Sequence, residues 1–121
     1  MQARQSTTTT RGALAEEQAA AYLMQQGLHV LVRNWHVRGG EIDLICREGE
    51  TLVFVEVRLR KNRKFGGAAE SITATKQARI VLAARHYLAG KPEQICRFDV
   101  VLLDDLETAS PEWIRHAFLA E

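Results

Sequence analysis

Two neighbouring segments decide the fold: GEIDLI at residues 40–45 and FVEVRLR at residues 54–60. Both alternate polar and apolar side chains, which is the period of a β-strand that has one face against a core. The polar residues REGE at 47–50 can form a turn between them. The sequence therefore predicts an antiparallel hairpin.

The alternation also predicts which side chains share a face. In the first strand, Glu41 and Asp43 lie opposite Ile42 and Leu44. In the second strand the polar residues share one face and the apolar residues share the other: Glu56, Arg58 and Arg60 against Val55, Val57 and Leu59. Asp43 and Glu56 are then opposite or diagonal to each other, and two such carboxylates repel unless one takes up a proton or a cation lies between them. A bound divalent metal would remove this conflict.

Length and composition indicate a single globular domain. The chain has 121 residues, of which 46% are hydrophobic and 26% are charged. No apolar run approaches the roughly 20 residues that span a bilayer, so we expect a soluble, cytoplasmic protein with no membrane contact. We expect residues 1–10, which are polar and rich in threonine, to be a flexible tail, and residues 11–121 to form the domain. Cys46 and Cys96 have no partner at zinc-binding spacing, which predicts reduced, buried thiols.

The charge distribution is more informative than the net charge of +1. Just after Glu56, the seven residues 58–64 contain five cations: Arg58, Arg60, Lys61, Arg63 and Lys64. A charge run of this kind is usually a solvated strand end and loop. Because this run adjoins a carboxylate pair, a site for a polyanion is the alternative, and the sequence leaves both open.

The remaining elements follow from helix caps and from runs of branched residues. A first helix is predicted from Arg11 to Gln26, ended by Gly27, and the segment from Leu31 to Val37 is predicted as a strand with Leu31, Trp35 and Val37 on one face. Thr73 or Thr75 can cap a second helix that ends near Leu88. Its predicted inward stripe is Ala78, Val81, Leu82, Arg85 and Leu88.

Strands at residues 97–103 and 113–118 complete the pattern. The order α-β-β-β-α-β-β implies an α+β (mixed α/β) fold with helices on a central, mostly antiparallel sheet. The crossover through the second helix allows the strand at residues 97–103 to run parallel to the strand that carries Glu56.

These residues resemble a known pattern. An acidic residue on one strand followed by (D/E)-x-K on the next is the signature of PD-(D/E)XK nucleases, and the chain is similar to the YraN-type (UPF0102) family of small bacterial proteins related to Holliday-junction resolvases. The matching segments run from the first helix to the fourth strand: AEE at 15–17 with Ala19, Tyr22 and Leu23, RN at 33–34, GEIDLI at 40–45, FVEV at 54–57, FG at 65–66, Lys76, and RFDVV at 97–101.

The resemblance implies a restriction-endonuclease-like fold and a metal-dependent endonuclease that hydrolyses phosphodiester bonds in DNA, including branched or flap structures. It implies that Glu16, Asp43 and Glu56, with the carbonyl oxygen of Val57, hold Mg²⁺ or Mn²⁺. Physical chemistry agrees, because Mg²⁺ prefers carboxylate and carbonyl oxygens. Nucleic acid, in particular DNA, is the implied partner. The residues expected to bind the nucleic acid are Arg58, Arg60, Lys61, Arg63, Lys64 and Lys76. The resemblance leaves open whether the protein forms a homodimer.

One position departs from the pattern. The triplet is Glu56-Val57-Arg58, with arginine in the place of lysine. An arginine stays protonated at any working pH, so Arg58 cannot abstract a proton, although it can bind a phosphate through two hydrogen bonds. Two alternatives to an active nuclease therefore remain: a nucleic-acid-binding module of the same fold with weak or no catalysis, and a protein-interaction domain in which these charges form salt bridges.

Overall fold

The computed structural model describes residues 11–59, 72–104 and 111–120. The N-terminal tail and four of the predicted phosphate-binding cations lie outside these ranges: Arg60, Lys61, Arg63 and Lys64. The described residues form two helices and five strands in the predicted order: α1 (Arg11–Gln25), β1 (His29–Val37), β2 (Gly40–Glu48), β3 (Thr51–Leu59), α2 (Ala74–Leu88), β4 (Cys96–Leu103) and β5 (Glu112–Phe118). Neither helix in these ranges is long and apolar enough to cross a membrane.

The five strands form one mixed sheet in the order β1-β2-β3-β4-β5. The β1–β2, β2–β3 and β4–β5 pairs are antiparallel. The β3–β4 pair is parallel, because the chain crosses over through α2 between these strands. The predicted fold class, the hairpin and the parallel pair are thus confirmed.

A helix packs on each face of the sheet, and each forms its own core. The core beneath α1 contains mainly small and branched residues: Ala19, Ala20, Leu23, Leu28, Leu44, Cys46, Val53, Val55 and Val101. The core beneath α2 is larger and more aromatic: Ile42, Ile45, Leu52, Phe54, Ile80, Val81, Ala83, Ala84 and Phe98, with Trp35 and Tyr87 at its edge. Burial of these apolar surfaces on both sides fixes the sheet between the helices.

The strict alternation predicted for β2 is wrong. Ile42 belongs to the core beneath α2, whereas Leu44 belongs to the core beneath α1, so these two side chains lie on opposite faces. The neighbouring strand β1 breaks its alternation at the same level, where Asn34 has a φ of 54°. Asn34 lies between Arg33, which pairs with Leu44, and Trp35, which pairs with Ile42, so the break in β1 is directly opposite Asp43.

Two other predicted faces need correction. In β1, Leu31 lies at a register shift between Val30 and Val32 and is 44% exposed, so Val32 takes its place in the core. In α2, the buried stripe is rotated from the predicted one: Ala78, Leu82 and Arg85 are exposed, while Ile80, Val81, Ala83 and Ala84 are buried.

The small residues of α2 allow the helix to approach the sheet closely. The indole Nε1 of Trp35 donates a hydrogen bond of 3.0 Å to the carbonyl oxygen of Ala83. Gly40 is buried against the helix backbone, and a β-carbon at this position would overlap the carbonyl oxygen of Arg79. The start of β2 is therefore held directly against α2.

Candidate metal and phosphate site

The site begins where the β2–β3 ladder ends. Backbone pairing runs from Glu48 opposite Thr51 to Leu44 opposite Val55. One step further, the backbone N–H of Val57 donates a hydrogen bond of 2.8 Å to Oδ2 of Asp43. The carboxylate of Asp43 therefore takes the place of a backbone acceptor between the two strands.

Because Asp43 lies between the strands, carboxylates from both sides of the molecule reach it. Glu16 on α1 is within hydrogen-bonding distance of Asp43, and Glu56 on β3 is as well. The side chain of Asn34 also hydrogen-bonds Glu16. The structure thus brings together all three side chains that the family resemblance implied, in a chain with Asp43 in the middle.

The crowding of these carboxylates shifts their protonation. The pKa of Glu16 is raised to about 7, mainly by burial and further by the nearby charge of Asp43. The hydrogen bond from Asn34 lowers this pKa and so partly offsets the rise. Burial is also the main cause that raises the pKa of Glu56 to about 8, followed by the charge of Asp43. Both glutamates therefore keep a proton to a higher pH than an ordinary glutamate does, as expected for like charges that share a site.

Glu56 is the most enclosed of the three, with only 3% of its surface exposed. Its Oε2 lies 3.7 Å from Nζ of Lys76 and 3.9 Å from Nη1 of Arg58, and these two cations partly offset the rise in its pKa. Its Oε1 is buried and receives no hydrogen bond within the described residues. Asp43 can bond to Glu56 only when one of the two is protonated, since both carboxylates are otherwise acceptors.

The carboxylates do not form a closed cage. In the part of the chain that the structure describes, no three His, Cys, Asp or Glu side chains surround a common point that could hold a metal ion. The donors nevertheless suit Mg²⁺, which binds through a few carboxylates and keeps several waters rather than a complete protein shell. The buried, unbonded Oε1 of Glu56 is the atom that most lacks a partner.

Asn34 is a site residue to which the sequence assigned no role. Its backbone breaks the alternation of β1, and its side chain bonds Glu16. An asparagine inside a run of strand-forming residues is itself a signal, because asparagine is depleted in strands and tolerates positive φ.

A second buried carboxylate, Asp99, has a structural role. It is fully buried and accepts hydrogen bonds from Nε of Arg97 at 3.0 and 3.1 Å, from Nε1 of Trp113 at 2.9 Å and from the backbone N–H of His116 at 3.0 Å. The register of β4 and β5 shifts beside it, and His116 has a φ of 54° there. Asp99 therefore holds the irregular end of the sheet rather than taking part in the carboxylate site.

The fold and this site define a class of small α+β proteins with neighbouring carboxylates, one of them buried, at the end of the β2–β3 pair. The chain belongs to the family described as Uncharacterised protein family UPF0102, whose model matches residues 15–103. That segment contains Glu16, Asp43, Glu56, Lys76 and Asp99. The predicted membership is thus confirmed.

Similar members come from several bacteria. A UPF0102 protein of Dechloromonas aromatica is 60% identical over 115 residues, covering 95% of this chain and 93% of the relative. A UPF0102 protein of Nitrosomonas europaea is 54% identical and covers 93% of this chain and 97% of the relative. One from Cupriavidus taiwanensis is 58% identical and covers 92% of this chain and 84% of the relative.

Proposed function

We propose that this protein is a metal-dependent endonuclease that hydrolyses phosphodiester bonds in DNA. The observation that carries the proposal is the group of three neighbouring carboxylates, Glu16, Asp43 and Glu56, of which Glu56 is buried and faces two cations. A surface salt-bridge network would not need a carboxylate inserted between two central strands. Nor would it need a glutamate that is 3% exposed and has one oxygen to which no described residue donates a hydrogen bond.

A divalent cation would relieve the electrostatic conflict in this site. Loss of solvation and the charge of Asp43 raise the pKa of Glu16 to about 7 and that of Glu56 to about 8, so both charged forms are disfavoured in the metal-free site. A cation among these oxygens would favour the ionised forms and displace bound protons. We propose that Glu16, Asp43 and Glu56 hold Mg²⁺ or Mn²⁺, with the carbonyl oxygen of Val57 as a further ligand.

A bound metal ion and Arg58 would each stabilise the phosphate during hydrolysis. When bound, Mg²⁺ lowers the pKa of nearby water and offsets charge on the phosphate. Arg58 is suited to bind the non-bridging oxygens of the phosphate through its planar guanidinium. In the reaction, water adds to phosphorus, one bridging P–O bond breaks, and the proton lost by the water passes through solvent to the departing oxygen.

DNA as the substrate rests on charge and on the family resemblance. The basic run from Arg58 to Lys64 follows Glu56 directly in the sequence, and phosphates are the groups that such a run neutralises. Branched or flap-bearing DNA is the substrate expected from the likeness to Holliday-junction resolvases.

A second candidate function is nucleic-acid binding with little catalysis. It is favoured by one observation: Arg58 occupies the motif position, and an arginine cannot serve there as a general base. The loss of a positioned base typically lowers a rate by roughly 10² to 10⁴.

Mn²⁺-dependent cleavage tests the two functions. We expect wild-type protein to cut a branched DNA with Mn²⁺, and Asp43→Asn to lose this activity. We also expect Mn²⁺ to raise the Tm of the wild type but not that of Asp43→Asn. At a Mn²⁺ concentration of 100 times Kd, the gain in the free energy of unfolding should be about 2.7 kcal/mol. Glu17→Gln is the matched control, because Glu17 is exposed on the same helix as Glu16. Metal binding without cleavage of any DNA structure would favour the binding module, and an unchanged Tm response in Asp43→Asn would exclude the metal site.

A further inference from the structure

Two cations from different elements approach one oxygen of Glu56. Arg58 comes from the same strand, and its Nη1 lies 3.9 Å from Oε2. Lys76 comes from the first turn of α2, and its Nζ lies 3.7 Å from the same oxygen. A primary amine is therefore present beside Glu56, although the strand motif itself contains none.

The local structure of α2 fixes the position of Lys76. Thr73 caps the helix, and its Oγ1 accepts a hydrogen bond of 3.1 Å from the backbone N–H of Lys76. The side chain of Gln77 donates a hydrogen bond of 3.1 Å to the carbonyl oxygen of Ile72. The side chain of Lys76 is 28% exposed, compared with 39% for Arg58, so it is the more enclosed of the two.

The side chains of Arg58 and Lys76 differ in how they donate hydrogen bonds to a phosphate or a water molecule. A guanidinium is a flat fork that suits the two oxygens of a phosphate, whereas an ammonium is a compact charge with three donors on a flexible stem. An ammonium can therefore donate to a water molecule and to Glu56 at the same time.

We propose that Lys76 supplies from α2 the amine that the strand motif lacks, and that its Nζ donates a hydrogen bond to the attacking water beside Glu56. Arg58 is then left to bind the phosphate. This inference rests on the proposed nuclease function, and it explains how the site can work with arginine at position 58.

A rescue experiment tests this assignment. Single-turnover cleavage of a branched DNA with saturating Mn²⁺ is measured for Lys76→Met, for Arg58→Lys combined with Lys76→Met, and for Lys91→Met. We expect Lys76→Met to lose about 10²-fold or more in rate, because orientation of the nucleophile is lost. The double variant should regain at least about tenfold, since an amine at position 58 can reach the same oxygen.

Lys91→Met is the matched control, because Lys91 follows the other end of α2 and its Nζ donates to the carbonyl oxygen of Tyr87. Its cleavage rate should stay at the wild-type value. Rates are compared at saturating DNA, because Lys76→Met also removes a cation that is expected to bind nucleic acid. Wild-type cleavage in Lys76→Met would overturn the inference and leave the nuclease function standing, and so would a double variant as slow as Lys76→Met. If the wild type itself cuts no DNA structure, the proposed function fails and the inference fails with it.

Discussion

Asp43 is the residue on which the site depends, because its carboxylate contacts three groups from three directions. It accepts the backbone N–H of Val57, and it lies within hydrogen-bonding distance of Glu16 and Glu56. The two glutamates come from α1 and β3, which are far apart in the sequence. A change at Asp43 should therefore alter protonation, metal binding and strand geometry together.

The pH dependence of stability follows from the two raised pKa values. In the folded state the pKa rises from 4.5 to about 7 for Glu16 and to about 8 for Glu56, so the folded chain holds more protons than the unfolded chain in this window. The stabilisation is fully present below about pH 4.5 and is lost as the pH rises through 7 and 8. We expect the Tm of metal-free protein to fall between pH 5 and pH 8.5.

Asp43→Asn provides the comparison for that measurement. The neutral amide removes the charge that helps to raise both pKa values, so the difference in Tm between the wild type and this variant should change with pH over the same window. Mn²⁺ at pH 8 should restore stability in the wild type alone. A pH-independent difference between the two proteins would contradict the raised pKa values.

Asp99 gives a prediction of the opposite kind, in which stability changes and the carboxylate site does not. Asp99→Ala would remove one of two carboxylates that pair with the guanidinium of Arg97, which is 8% exposed, and would leave Glu48 at 2.7 Å. Loss of the only partner of a buried charge typically costs about 3–5 kcal/mol, so with Glu48 retained we expect a loss towards the lower end of that range. Trp113→Phe removes one hydrogen bond to Asp99 and keeps an aromatic ring at the position that meets Tyr22 and Arg115. It should cost less, with about 1 kcal/mol from the lost hydrogen bond. Denaturant unfolding measures both, and equal losses would contradict a central role for Asp99.

At the level of secondary-structure elements, local signals predicted the boundaries but not the faces. Gly27 follows the end of α1 because glycine favours the left-handed backbone there, and Thr73 begins α2 because its side chain caps the helix. The bounds of both helices therefore agree closely with the predicted ones. The faces depend on packing partners. The alternation of β2 fails at Asp43 because its carboxylate lies between β2 and β3 and accepts a hydrogen bond from the backbone of Val57. The pattern of hydrophobic residues does not predict that contact.

The rotated stripe of α2 has a similar origin. Hydrophobicity alone favoured Leu82 over Ala83, but close approach to Gly40 and Trp35 selects the smaller side chain. The proximity of Asp43 and Glu56 was easier to predict, because carboxylates on adjacent strands stand out in a short sequence. Glu16 was indicated by the family resemblance alone, and the role of all three in a site stays a prediction. The contribution of Asn34 was not predicted, since it depends on the position of α1 above β1.

The contact between β2 and α2 can be tested by adding one methyl group. Gly40→Ala would force a β-carbon against the carbonyl oxygen of Arg79, which belongs to the helix backbone and cannot turn away. We expect a loss of about 1–3 kcal/mol in the free energy of unfolding, as in other overpacked sites. Gly12→Ala is the control: Gly12 is exposed in α1, where the same change should be neutral or stabilising by up to about 1 kcal/mol. A Gly40→Ala variant as stable as the wild type would show that the helix can move away.

At the scale of the whole molecule, the carboxylate site lies where both helices meet the same strands. α1 brings Glu16 to one face of the sheet, and α2 brings Lys76 to the other. Asp43 connects them through the gap between β2 and β3. The two cores therefore position the two halves of one site, so that loss of either helix should dismantle it.

The proposed DNA surface is also a property of the whole chain, and salt titration measures it. If Arg58, Arg60, Lys61 and Lys64 contact about four phosphates, log affinity for duplex DNA should fall with log salt at a slope of roughly −3.6. Replacing Lys61 and Lys64 by alanine should reduce the steepness of that slope by about two. Replacing Arg85 and Lys91 should leave the slope unchanged. Binding that does not depend on salt would favour a protein partner instead.

The backbone amide of Val57 offers a direct spectroscopic view of the site. Its N–H donates to a side-chain carboxylate at 2.8 Å rather than to a backbone carbonyl of the neighbouring strand. The ¹⁵N and ¹H resonances of this one amide should therefore move when the charge around Asp43 changes, whether through a proton on Glu16 or Glu56, a cation, or a phosphate nearby. A single peak in a two-dimensional NMR spectrum would then follow occupancy of the site in solution, without any substrate and without any turnover.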